Sequence, residues 1–281
     1  MIFVSSRADR YLLKPFVERL GHNPKYLMVL GDRRETFERA VKAFLDDLPI
    51  IHIHGGERTP CSKDDVYRDC ITRMASIHFP PTLEAANRVY QINPKATVVP
   101  CGAVGAELAA NHVPIERSVL EGSGFKMGER TWLVTFHPQE GEDVQEVIEA
   151  LKETKDAVLW TYPNADPGRE EIIDKIRDSG FPVYTELGMD TYLSLANYST
   201  AVVGNSSSAI IEIPVLGCPV VNVGKRQEGR PQANGIINTP CDLASIRFAL
   251  ICAREAKTSE SPYYIPGTID TIVRTVWSIY G

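Results

Sequence analysis

The run Thr200-Ala201-Val202-Val203-Gly204-Asn205-Ser206-Ser207-Ser208-Ala209-Ile210-Ile211-Glu212 decides the fold. Thr200–Val203 reads as a strand, and Ser208–Leu216 reads as a helix. A strand that turns through Gly, Asn and Ser into a helix aims backbone N–H groups and hydroxyls at one point, where the helix dipole favours an anion such as phosphate. Pro219–Val223 then reads as the next strand, ending at Gly224-Lys225-Arg226-Gln227-Glu228-Gly229-Arg230. A carboxylate (Glu212), a phosphate seat and arginines at adjacent strand ends can hold a nucleoside diphosphate, with the ribose hydroxyls on the acid and the phosphates on amides and guanidinium. Taken alone, the same turn also fits an ordinary β–α connection beside a surface charge cluster.

Working outward, short Val/Ile/Leu runs alternate with longer amphipathic segments, the pattern of parallel sheets covered by helices. The fold class is α/β. In the first half, strands are expected near Ile2–Ser5, Tyr26–Leu30, Pro49–His54, Ser76–Phe79 and Thr97–Pro100. Helices fall near Leu12–Leu20, Arg34–Leu45, Asp64–Met74 and Thr82–Tyr90. The stretch Asn111–Glu129 loses the pattern and reads as a crossover. Strands resume near Thr131–Phe136, Ala157–Tyr162 and Pro182–Thr185, with helices near Val144–Glu153, Arg169–Asp178 and Tyr192–Asn197, and a last helix near Ile269–Tyr280. The expected domains are 1–113 with the returning helix 267–281, and 114–266, with a ligand cleft between them.

The 281 residues carry a net charge of −6, which argues against a broad nucleic-acid-binding face. No apolar run approaches the ~20 residues of a membrane span, and strand-like Met1-Ile2-Phe3-Val4 leaves no signal peptide, so a cytoplasmic protein is expected. The cysteines Cys61, Cys70, Cys101, Cys218, Cys241 and Cys252 show no C-x-x-C spacing and read as reduced packing residues.

Candidate chemistry gathers where strands end. Gly31-Asp32-Arg33 and Gly55-Gly56-Glu57-Arg58 bring acids and arginines to the carboxyl edge of the first sheet, and Ser5-Ser6-Arg7 adds a guanidinium. Asp64 reads as a helix cap. Thr135-Phe136-His137-Pro138 puts a histidine at a strand end in the second domain. Alternation places His52 and His54 on one strand face, with His78 on a neighbouring strand. A zinc site is conceivable there, but the apolar strand and the absence of matching cysteines favour packed histidines supporting the Gly55–Glu57 turn.

These residues together resemble the UDP-N-acetylglucosamine 2-epimerase family: Leu30-Gly31-Asp32-Arg33, His52-Ile53-His54-Gly55-Gly56-Glu57, Asp65 with Arg68, Thr135-Phe136-His137-Pro138, Gly204-Asn205-Ser206-Ser207 with Glu212, and Arg226-Gln227-Glu228-Gly229-Arg230. The His-Gly-Gly-Glu and Arg-Gln-x-Gly-Arg forms are similar to its hydrolysing branch. The resemblance implies a GT-B architecture of two Rossmann-like domains, a UDP-sugar substrate, no cofactor or metal, and a homodimer. Carried over by motif, Arg7, Arg33 and Arg226 would contact the diphosphate or uridine, Ser206 and Ser207 the phosphates, and Glu212 the ribose. His137 would lie by the diphosphate, and Asp32, Glu57 and Asp65 would be the acid–base carboxylates; carboxylates packed together beside an apolar cleft can have raised pKa values, which would let one act as an acid near neutral pH.

The implied activity is hydrolysing epimerisation of UDP-N-acetylglucosamine to N-acetylmannosamine and UDP. A non-hydrolysing epimerase giving UDP-N-acetylmannosamine, a glycosyltransferase of the same architecture and a nonenzymatic sugar-nucleotide sensor are the alternatives. Two departures stand out. Only Gly21-His22-Asn23-Pro24 separates the opening helix from the Leu-Gly-Asp-Arg strand, where the family has further strands and helices. Asp9 stands where the hydrolysing branch more usually has glutamate.

Overall fold

The computed structural model describes residues 1–60, 63–185 and 187–281, apart from the side chain of Arg7. Cys61 and the Arg7 side chain therefore lie outside the described residues. The chain forms two units, Met1–Leu108 with Glu228–Arg230 and Pro262–Gly281, and Ala109–Gln227 with Pro231–Ser261.

The first unit runs α1 (Arg7–Leu20), β1 (Leu27–Leu30), α2 (Arg34–Leu45), β2 (Ile50–Ile53), α3 (Asp64–Met74), β3 (Ile77–Phe79), α4 (Leu83–Ile92), β4 (Thr97–Val98) and α5 (Val104–Ala110). Its strands pair in parallel in the order β1-β2-β3-β4. Strands β1 to β3 are buried and, apart from His52 and His78, apolar, because both of their faces are covered, whereas the edge strand β4 is partly exposed. Met28, Ile51, Ile53 and Ile77 pack with Leu13 and Phe16 of α1, while Leu27, Val29 and Ile50 pack with Ala40, Ala43 and Ile71 of α2 and α3.

The expected strand Ile2–Ser5 shrinks to a single bridge, Ile2 to Met28. The local sequence explains why. Ser6 and Asp9 form a capping box at the start of α1: Ser6 Oγ accepts the Asp9 N–H, and the Asp9 carboxylate accepts the Ser6 N–H, both at 3.1 Å. The same carboxylate accepts the Ser5 N–H at 3.1 Å. Asp9 thus pulls the chain out of the sheet at Ser5.

The second unit runs α6 (Arg117–Gly122), β5 (Thr131–Thr135), α7 (Val144–Thr154), β6 (Ala157–Thr161), α8 (Arg169–Asp178), β7 (Val183–Tyr184), α9 (Gly188–Asn197), β8 (Ala201–Gly204), α10 (Ser208–Ile211), β9 (Val220–Val223), β10 (Ile236–Thr239) and α11 (Leu243–Ala253). In the first unit, α12 (Thr268–Tyr280) closes the chain and packs Ile272, Val273 and Val276 into the core under α1.

All strands of the second sheet are parallel, in the order β10-β9-β8-β5-β6-β7. The chain lays β6 and β7 on one side of β5, then returns to place β8 on the other. The order therefore reverses between β5 and β8, and open α/β sheets bind ligands at the carboxyl ends beside such a reversal.

Three differences from the sequence reading matter. Ser208–Leu216 is a short α-turn followed by a 3-10 turn at Ile213–Leu216, broken at Pro214, which has no N–H to donate. The crossover Asn111–Glu129 contains α6, and β10 with α11 adds a further strand–helix unit. Among the described residues, no helix is long and apolar enough to cross a membrane.

Candidate active site

In the second unit the ends of β5 and β8 meet in register, Thr135 opposite Gly204. They approach so closely that a Cβ on Gly204, whose φ is 135°, would overlap the Thr135 carbonyl oxygen. Only glycine fits there. One residue later the fully buried Asn205 side chain ties the two loops together. Its Oδ1 accepts the His137 N–H at 2.7 Å, and its Nδ2 donates to the His137 carbonyl at 2.9 Å. The Asn205 carbonyl in turn accepts from Arg226 Nη1 at 3.3 Å and Gln227 Nε2 at 2.9 Å. His137, Ser206 and Arg226 are thus brought to one sheet edge by Asn205, which the sequence reading quoted but gave no task.

Ser206 is buried and its Oγ accepts the Ser208 N–H at 3.4 Å, while Ser207 is the N-cap residue of α10. Because α10 is only one turn long, this turn offers an anion individual amides and hydroxyls, and no long helix dipole. Glu212 follows α10, near the Tyr192 hydroxyl, which accepts from Ser208 Oγ at 2.9 Å. Burial is the largest influence on that phenol and, with the Glu212 charge, pushes its pKa up to about 12. Beyond β9, Glu142 Oε1 accepts the Lys225 N–H at 2.6 Å, and its carboxylate fills the space where a Gly224 Cβ would stand. Burial raises the Glu142 pKa.

In the first unit Asp32, Glu57 and Asp65 converge on Arg68, a guanidinium that is 1% exposed. Arg68 donates to Asp65 Oδ1 and to the Glu57 carbonyl, both at 2.8 Å, to Thr59 Oγ1 at 3.1 Å, and to Asp32 Oδ2. Arg88 adds bonds to the Glu57 carbonyl at 2.7 Å and to Asp69 at 2.6 Å. The fork geometry of a guanidinium suits one residue to so many acceptors. The Glu57 carboxylate is held from two sides, by Arg230 Nη1 at 2.6 Å and His54 Nδ1 at 3.3 Å.

Burial works against the ionised form of Glu57, but the Arg230 charge and the His54 bond outweigh it and bring its pKa down to about 2. Burial likewise opposes ionisation of Asp65, and is outweighed by the Thr59 N–H at 2.7 Å with Arg68 and Arg88, so its pKa is also lowered. The expectation of raised values is overturned for both acids, because each carboxylate faces arginines more closely than it faces another acid. For neighbouring Asp69 burial is not outweighed by the Arg88 charge, and its pKa is raised.

His52 and His54 do not share a face. Strand β2 ends at Ile53, and His54 adopts a left-handed φ of 65° that turns it to Glu57. His52 stays in the core, with Nε2 at 2.9 Å from the Gly31 carbonyl and its ring edge-on to His78. Burial drives the His52 pKa well below the imidazole range and that of His78 down to about 4. Their Nδ1 atoms lie 2.8 and 3.0 Å from where a Gly55 Cβ would be, so they back the turn leading to Glu57. Among the described residues no cluster of His, Cys, Asp and Glu has the makings of a metal site.

Arg33 is the N-cap residue of α2, half-buried, and pairs with none of the described carboxylates. Arg7 begins α1. Sequence reasoning missed the hub role of Arg68 and the grip of Arg230 on Glu57. The second carried a signal, the final arginine of Arg226-Gln227-Glu228-Gly229-Arg230.

Comparison with known proteins extends this picture. The polysialic acid biosynthesis protein P7 of Escherichia coli is 32% identical, the match covering 89% of this chain and 69% of that protein. The hydrolysing UDP-N,N'-diacetylbacillosamine 2-epimerase of Legionella pneumophila is 30% identical, covering 89% and 72%. Among solved structures, the UDP-GlcNAc 2-epimerase of Neisseria meningitidis bound to UDP-GlcNAc superimposes with a TM-score of 0.74 at 18% identity, covering 98% of this chain and 82% of that one. The Methanocaldococcus jannaschii enzyme in complex with UDP-GlcNAc and UDP gives 0.74 at 16% identity, with the same coverage. The fold is GT-B, two Rossmann-like parallel-sheet units. The family model for UDP-N-acetylglucosamine 2-epimerase matches residues 14–276, and the chain belongs to that family.

Proposed function

We propose that the protein is a hydrolysing UDP-N-acetylglucosamine 2-epimerase that converts UDP-N-acetylglucosamine and water to N-acetylmannosamine and UDP. The observation that carries this reading is the convergence of Asp32, Asp65 and the Glu57 main chain on the single buried Arg68, with Glu57 itself held by Arg230. Two relatives named as hydrolysing epimerases, at 30% and 28% identity, support the hydrolytic outcome.

The nucleotide is assigned to the second unit. Ser206, Ser207 and Arg226 take the diphosphate, with Arg7 and Arg33 of the first unit as further cationic contacts, and Glu212 takes the ribose hydroxyls. The sugar chemistry is assigned to the carboxylates of the first unit. A carboxylate with a pKa of about 2 is a poor base, so Glu57 serves as a fixed negative charge that aims Arg230 and His54 and stabilises positive charge developing at C1. Asp65, saturated by Thr59, Arg68 and Arg88, fixes the hub. Asp32 has the most exposed side chain of the three acids, 21% against 17% for Asp65 and 4% for Glu57, and is assigned as the base that removes the C2 proton.

As that proton leaves, the C1–O bond breaks and its electron pair departs on the UDP β-phosphate, leaving a glycal. Water then adds its oxygen to C1, and a proton returns to C2 from the opposite face. The same reading takes the enzyme as a cytoplasmic homodimer. Proton NMR with UDP-N-acetylglucosamine in deuterated water tests the chemistry. Free N-acetylmannosamine carrying deuterium at C2 is expected. The same label on UDP-N-acetylmannosamine would move the protein to the reversible branch, and folded protein that gives neither exchange nor UDP release would refute the reading.

A second substrate has support from the relatives named for UDP-N,N'-diacetylbacillosamine. Turnover of a 2,4-diacetamido UDP-sugar in parallel with UDP-N-acetylglucosamine, compared by kcat/KM, decides which sugar the site prefers.

A further inference from the structure

His137 is fixed by two separate devices in the second unit. Asn205 holds its main chain from both sides. The ring is held by a main-chain group, the backbone amide of Asn164 on the loop after β6, which donates to His137 Nδ1 at 3.1 Å. An amide N–H can only donate, so Nδ1 must present a lone pair to it. Turning the ring over would set a C–H against that amide and strip the donor of its acceptor. The loop is itself braced, since Asn164 Nδ2 donates to Asp166 Oδ2 at 2.6 Å and Arg169 Nε donates to the Pro163 carbonyl at 3.4 Å.

We propose that the Asn164 amide holds His137 as the neutral tautomer with its proton on Nε2, so that His137 meets an incoming diphosphate as a hydrogen-bond donor and not as a base. Asn164 is then a positioning residue that acts through its main chain. The diphosphate in this statement rests on the functional reading above, whereas the tautomer does not. Protonating Nδ1 would turn two N–H groups on each other across 3.1 Å, which disfavours the imidazolium. Nε2 already carries its proton and cannot accept another from a sugar carbon. Proton removal at C2 therefore falls to a carboxylate, in agreement with the role given to Asp32. On the surrounding loops Asp166 faces Arg226 at 3.6 Å, Arg169 faces Glu170 at 2.7 Å, and Glu142 Oε1 accepts the Lys225 N–H at 2.6 Å.

The test is a long-range proton–nitrogen correlation spectrum of the full chain labelled with 15N-histidine, recorded at about pH 6, below the ordinary imidazole pKa of about 6.5. A free histidine is mostly imidazolium there. His137 is assigned by the signals lost in His137→Gln. The expected spectrum shows His137 with an unprotonated Nδ1 and a protonated Nε2. Protons on both nitrogens, or a proton on Nδ1 alone, would overturn the proposal. Asn164→Ala keeps the amide and is expected to preserve the wild-type state, while Asn164→Pro removes the donor and is expected to convert the ring to imidazolium. A folded Asn164→Pro protein whose ring stays neutral would show that the amide is not the lock. If that variant does not fold, the wild-type and alanine spectra decide. Adding UDP is expected to shift Nε2, and UDP binding that leaves Nε2 unmoved would overturn the donor role. Absence of UDP binding with the tautomer intact would count against the functional reading alone.

Discussion

Arg230 Nη1 and Glu57 Oε1 lie 2.6 Å apart although 173 residues separate them in the chain, and their side chains are 9% and 4% exposed. A pair this enclosed is sensitive to losing one member. Arg230→Ala would strand a buried carboxylate and is expected to lower stability by about 3–5 kcal/mol, with Glu57→Gln added to it recovering part of the loss. Denaturant unfolding of both single variants and the double variant checks this. Additive losses would mean that the two residues do not act as a pair.

The same pair sets a pH dependence. The folded-state pKa of Glu57 is depressed to about 2 from an ordinary 4.5. A depressed carboxylate contributes stability that is fully present above about pH 4.5 and is lost as pH falls toward about 2. Glu57→Gln is expected to flatten the acid limb of stability across that window while leaving the neutral-pH baseline parallel to wild type. An unchanged acid limb in unfolding curves would contradict the assignment.

Binding and chemistry are expected to separate by unit. Glu212→Ala should weaken UDP binding about tenfold or more by calorimetry, through loss of a charged hydrogen-bond partner. Asp32→Asn should leave UDP binding within about twofold of wild type and lower kcat by roughly 10²–10⁴, the range for a lost general base. Equal losses of UDP affinity in both would show that the division is wrong.

Gly204 and Gly224 look equivalent in sequence, each at the end of a central strand, yet they should respond differently. A methyl on Gly204 meets the Thr135 backbone, which cannot move without breaking the sheet, whereas a methyl on Gly224 meets the Glu142 carboxylate, which can swing away. Gly204→Ala is expected to cost about 3 kcal/mol or more and Gly224→Ala about 1 kcal/mol, the residual strain of its φ of 78°. Thermal unfolding of the two variants side by side gives the comparison.

Much of the succession of strands and helices along the chain was legible, because parallel strands covered on both faces announce themselves as apolar runs such as Leu27–Leu30 and Ile50–Ile53, whereas the order of the strands within each sheet was not. Helix α11 was not read. Leu243–Ala253 is apolar nearly all round and has no helical stripe, although Asp242, whose carboxylate accepts the Ser245 N–H at 3.0 Å, was an available start signal. The chain leaves the sheet at Ser5 because Asp9 caps α1, a local contest between strand and cap that apolar periodicity does not weigh. The sequence singled out the acids that gather on Arg68, but not their ionisation. That depends on Arg68, Arg88 and Arg230, which come from distant parts of the chain and whose partners only the fold selects.

The join between His137 and Asn205 has a consequence for how the protein folds. These residues are 68 positions apart, and the chain between β5 and β8 contains β6 and β7, which lie on the far side of β5. The proposed anion seat therefore has no precursor in any local stretch of chain, and closing so long a loop is expected among the late steps of assembly. A ligand of that seat recognises only the finished central strand pair. UDP should accordingly slow unfolding and leave the refolding rate nearly untouched, which makes the nucleotide a reporter of completed folding as well as of catalysis.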